Sequence, residues 1–135
     1  MTRYVALVDG NSGAYGVTFP DLPGCAAMGA TAEAALAHAA DALRDWIDVT
    51  EETRSPVPPP RPIEALRSDA EVAEALARGA LLATVPLIRH NGKPVKANLS
   101  LDSGILAAID AEAKRRKLTR SAFIETMARA MLVEG

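Results

Sequence analysis

Apolar and polar positions along this chain repeat with a period of two in some stretches and near 3.6 in others. The switches between the two rhythms mark its elements. Tyr4 to Val8 (YVALV) is a short apolar run and reads as a strand. DGNSG follows as a turn cluster, and Ala14 to Phe19 then alternates, with Tyr15, Val17 and Phe19 on one side. Together they predict a β-hairpin whose loop is longer than the tightest kind. PDLPGC breaks the pattern, and Cys25 to Met28 is a candidate third short strand. Thr31 is a good N-cap, and from Ala32 to about Thr50 the apolar positions Leu36, Ala39, Ala40, Leu43 and Ile47 have helical spacing. Trp46 lies beside this stripe and extends it, while Asp41, Asp45 and Asp48 occupy another face.

SPVPPPRP, residues 55–62, admits neither regular helix nor central strand and reads as a stiff, extended connector. Ser68 to Ala77 predicts a short helix ended by Gly79, and Ala80 to Ile88 a buried strand with a bulge or edge at Pro86. The turn-rich residues 91–94 form a hinge. Beyond it Val95, Ala97, Leu99 and Leu101 alternate with Lys96, Asn98 and Ser100, and two helical stretches follow. The first runs from about Ser103 to Lys117 with Asp102 as N-cap, and Leu106, Ile109 and Ala113 form its stripe. The second runs from about Arg120 to Val133, capped by Thr119, with Leu118 and Phe123 at the positions of a hydrophobic staple.

The 95–101 strand changes the picture, because it has no partner in its own module. A half-buried strand left alone keeps its backbone donors and acceptors unpaired. A second copy of the chain solves this if two such strands pair antiparallel about a two-fold axis. The apolar residues would then cover the helices, and Lys96, Asn98 and Ser100 of both chains would form a polar ribbon. A two-stranded ribbon fits the major groove of B-DNA, where Lys reads guanine and Asn reads adenine. The free N–H groups opening the second helix, at Thr119, Arg120 and Ser121, suit a DNA phosphate. Charge agrees in sign: residues 93–135 hold eight Lys/Arg against five Asp/Glu, residues 1–92 seven against twelve.

Composition excludes more than it identifies. A hydrophobic content of 49% with 24% charged residues is ordinary for a soluble domain, and no apolar run approaches a membrane span. The single cysteine, Cys25, fits a cytoplasmic location. YVALV carries no carboxylate, Asp9 falls in a turn, and Asp21 lies in the PDLPG turn, so a two-metal nuclease centre is not expected. His38 and His90 lack neighbours at metal-ligand spacing, and Cys25 lacks basic neighbours to lower its pKa. No catalytic residue, metal or cofactor is expected.

Two stretches resemble known families. VKANLSLDSGILAAIDAEAKRRKLTRSAF is similar to a ribbon-helix-helix DNA-binding domain, over Val95 to about Leu132. The resemblance implies base contacts from Lys96, Asn98 and Ser100, and phosphate anchoring at Arg120 and Ser121. Phe19 to Cys25, then Gly29, Thr31 and Glu33–Ala34, and the alanine-rich helix after them, resemble the HicB antitoxin family. That resemblance implies a partial ribonuclease-H-like module of order β-β-β-α-β that binds an mRNA-cleaving HicA-type toxin and covers its catalytic site or its RNA-contacting surface. The overall expectation is an α+β chain that is not an enzyme. It divides into a toxin-binding domain (1–90), a hinge (91–94) and a ribbon-helix-helix domain (95–135) that dimerises and represses its own operon. The alternative is a stand-alone ribbon-helix-helix regulator whose N-terminal domain senses a ligand or another protein.

Overall fold

The computed structural model describes residues 1–134. β1 (Arg3–Asn11) is flanked on both sides, antiparallel to β2 (Ala14–Thr18) and to β4 (Leu81–Pro86); β3 (Ala26–Gly29) pairs with β2, so the sheet order is β3-β2-β1-β4. The helices are α1 (Ala32–Glu52), α2 (Ile63–Arg67), α3 (Ala70–Ala77), α4 (Ser103–Arg115) and α5 (Arg120–Glu134). The chain forms two compact units, Met1–Arg89 and a second beginning at His90. The architecture is α+β, with the sheet confined to the first unit.

Strand register sorts the side chains of β1. Tyr4, Ala6 and Val8 share one face with Val85, Ala83 and Val17. Val5 and Leu7 share the other with Leu82, where Leu66, Val72, Ile63 and Leu76 from α2 and α3 close a small core. Helix α1 covers the first face through Ala35, Ala39, Ala40, Leu43 and Ile47, all buried. Burying Leu43 or Ile47 contributes about 1.5–3 kcal/mol each. Small residues let α1 lie close to the sheet. A Cβ on Gly29 would sit 2.4 Å from the Ala35 backbone nitrogen, so only glycine fits there.

Three expectations need correction. The first hairpin is tight: β1 runs on through Asn11, which pairs with Ala14, leaving only Ser12 and Gly13 in the turn. Glycine at position 10 makes this possible, because its φ of 121° and its 2.2 Å virtual Cβ contact with the Ala14 carbonyl exclude any side chain. Asp9 therefore lies within β1 and not in a turn. Residues 63–67 form the short α2, which the sequence pattern did not mark. Trp46, beside the α1 stripe, is half-buried, in keeping with its place at the edge of the buried face.

PDLPGC folds as two consecutive turns. Leu22 N–H donates to the Phe19 carbonyl and Cys25 N–H to the Leu22 carbonyl, each at 3.0 Å. Gly24 supplies the positive φ at the third position of the second turn, after Pro23. Asp21 is buried in the first turn. Its carboxylate accepts from the Arg61 backbone N–H at 2.9 Å and from Arg61 Nε at 2.5 Å. Arg61 also reaches Asp69, whose other oxygen caps α3 by accepting from Glu71 and Val72 N–H. The proline connector is further pinned where the Tyr4 hydroxyl donates to the Pro58 carbonyl at 2.8 Å.

Candidate functional site

Residues 91–102 form no strand within the chain, and every side chain from Asn91 to Ile105 is exposed. The proposed base readers Lys96, Asn98 and Ser100 therefore stand in solvent, and so do Val95, Ala97, Leu99 and Leu101. Val95 is 87% and Leu99 64% exposed. Exposing apolar residues in alternate positions leaves a large area of oil against water, at roughly 25 cal/mol per Å².

Asp102 ends this segment and starts α4 by accepting from Gly104 and Ile105 N–H at 2.9 and 3.1 Å. Within the second unit Phe123 and Ala113 are buried, and Leu106, Ile109, Ile124 and Met127 are half-buried. Ile105, Met131 and Leu132 remain exposed, so the apolar stripes of both helices are only partly covered. Phe123 packs under the Arg116 guanidinium, 5.5 Å from the ring centre.

The start of α5 holds Thr119, Arg120 and Ser121. Thr119 acts as the cap: its hydroxyl accepts from Ala122 N–H at 3.1 Å and its carbonyl from Phe123 N–H. Arg120 is engaged by a residue that sequence spacing did not bring to attention. Its Nε and Nη2 donate to the two carboxylate oxygens of Asp110 on α4, both at 2.8 Å. These hydrogen bonds hold the Asp110 carboxyl below the usual carboxylate range. Ser121 is exposed. In KRRK, Arg115 and Arg116 both bond Glu112, pulling its pKa down to about 2. Lys114 and Lys117 are exposed beside them.

Several titratable residues of the first unit are engaged within the fold. Both Asp21 oxygens are spent on Arg61. The His38 Nδ1–H donates to the Met28 carbonyl at 2.7 Å. Cys25 is buried, and burial pushes its thiol up to about 11, far from a nucleophile's range. Asp48 and Glu51 of α1 are clamped by Arg89, and Asp41 and Asp45 share Arg44. Among the described residues no cluster of His, Cys, Asp and Glu is arranged to hold a metal ion. No described helix is long and apolar enough to cross a membrane.

Comparison with known proteins agrees over the whole length. The crystal structure of the Burkholderia pseudomallei antitoxin HicB is 29% identical, covers 98% of this chain and 99% of that one, and superposes with a TM-score of 0.57. The separately crystallised N-terminal domain of the Burkholderia pseudomallei antitoxin HicB is 26% identical, with a TM-score of 0.52 over 65% of this chain and all of that one. A chain of the HicA3 and HicB3 toxin–antitoxin complex shares the fold at 23% identity, covering 63% of this chain and 96% of its own, with a TM-score of 0.53. No curated protein sequence matches significantly. A family profile described as HicB-like antitoxin of bacterial toxin–antitoxin system matches residues 4–128, across both units. The chain belongs to the HicB-like antitoxin family of bacterial toxin–antitoxin systems.

Proposed function

We propose that this chain is the antitoxin of a HicA/HicB-type pair and the repressor of its own operon. The observation that carries the second half is the bare, alternating Val95–Leu101 segment ahead of two helices whose apolar stripes are only partly covered. Pairing with the same segment of a second chain gives its backbone the hydrogen bonds it lacks and buries Val95, Leu99 and Leu101. The unit then becomes a ribbon-helix-helix dimer that presents six side chains, Lys96, Asn98 and Ser100 from each chain, to the major groove of operator DNA. Thr119, Arg120 and Ser121 flank the ribbon and hold phosphates through the opening N–H groups of α5. The apolar side chains on the far side of the ribbon form the dimer core.

The first unit, read as a degenerate ribonuclease-H-like module, binds the toxin and occludes its mRNA-cleaving site. Family membership over residues 4–128 supports this, as does the solved complex of the related HicA3 and HicB3. Co-expression tests it. A HicA-like protein encoded beside this gene should arrest growth alone and cease to do so with this chain. Continued arrest at equal expression of the two proteins sinks the antitoxin reading.

A further inference from the structure

Outside the segments already assigned, the first unit carries a groove with an apolar lining. This open groove, of about 380 Å³, runs between the PDLPGC turn and α1. Cys25, Ala26 and Ala42 line it, and Trp46 and Val49 add larger apolar surface. Trp46 is half-buried, and Val49, in the last turn of α1, is 57% exposed. Asp45 also lines the groove, its side chain 70% exposed; Arg44 engages only its Oδ1, at 3.3 Å. The nearby Thr50 hydroxyl is already spent on the Trp46 carbonyl at 2.7 Å.

We infer that this groove is where the first unit docks its protein partner, and that the partner presents a basic segment. An aromatic or branched apolar side chain fills the groove against Trp46, and a Lys or Arg beside it meets Asp45. Charge selects this occupant. Helix α1 carries Glu33, Asp41, Asp45, Asp48, Glu51 and Glu52 against a single Arg, and Arg89 is the cation that clamps Asp48 and Glu51. A nucleic acid would bring phosphates against these carboxylates, and a second copy of the chain would bring a like-charged helix. A small ligand would find few polar groups to fix its orientation beyond the Asp45 carboxylate. An apolar anchor inside a charged rim is the usual anatomy of a protein–protein hot spot, and Trp and Arg are its favoured residues. The same geometry gives PDLPGC a purpose beyond its turns: it sets Cys25 and Ala26 as one wall of the groove.

This inference rests on the proposed toxin partner, and its test separates the two. The full-length chain is titrated by calorimetry with the HicA-like protein encoded beside its gene, and Trp46, the only tryptophan, reports the groove by its fluorescence. Binding should shift Trp46 emission to shorter wavelength. Val49→Arg and Asp45→Lys, both at exposed helix positions, should each weaken binding at least tenfold while leaving the thermal melt unchanged. Wild-type affinity in both variants with an unmoved Trp46 spectrum overturns the groove and leaves the antitoxin reading standing. Failure of the wild-type chain to bind that protein overturns both.

Discussion

Arg120 shows how a residue's role depends on what it must release. Its bidentate pair with Asp110 satisfies the guanidinium in the free chain, and the DNA phosphate proposed for this position would compete for the same donors. Both side chains are about half exposed, so solvent screens the pair and it contributes little to stability. If Asp110 competes with phosphate, Asp110→Asn should tighten operator binding, by roughly fivefold per protomer at most. Weaker binding in the variant, read by fluorescence anisotropy at fixed salt, would mean that Asp110 instead aims Arg120. The sequence placed Arg120 at the head of α5 through the Thr119 cap and the Leu118–Phe123 spacing. It gave no hint of Asp110, ten positions away on another helix, because ion-pair partners across a helical hairpin leave no periodic trace.

Among the elements, those built on long periodic patterns were legible and those built on turns were less so. Helix α1 begins at the expected Thr31 cap, whose hydroxyl accepts from Ala34 N–H at 3.1 Å, and α5 begins at Arg120 as its cap predicts. The first hairpin was misjudged because Gly10 carries a strand conformation open only to glycine, so a strand residue looked like part of a turn. Helix α2 has five residues, too few to display a helical period. What holds the connector was also hidden: Arg61 joins the PDLPG turn to the cap of α3 through Asp21 and Asp69. Asp21→Ala leaves the Arg61 N–H and guanidinium without their buried acceptor. It should cost about 1–3 kcal/mol, discounted because the Arg61 side chain is 42% exposed. Urea denaturation of the full chain measures this, and an unchanged midpoint would show that the link between turn and connector contributes nothing.

The whole molecule divides its charge as it divides its labour. In the proposed reading the acidic first unit suits a basic protein and the basic second unit suits DNA, so each surface would speed its own encounter and repel the other's ligand. The two units also differ in self-sufficiency. The first has a four-stranded sheet with helices on both faces. The second leaves Val95, Leu99 and Met131 largely bare, which is costly for a lone chain and is relieved when two chains share a ribbon. In the proposed reading, pairing by a second copy is both the condition for a complete module and the origin of its reading surface. The most direct test is the binding of the full-length chain to the duplex upstream of its own operon, titrated across salt concentrations. Saturable binding by an even number of chains is expected, with affinity falling steeply as salt rises and selectivity over a scrambled duplex lost in Asn98→Ala. Binding that ignores sequence in the wild-type chain, or selectivity untouched by Asn98→Ala, would contradict it.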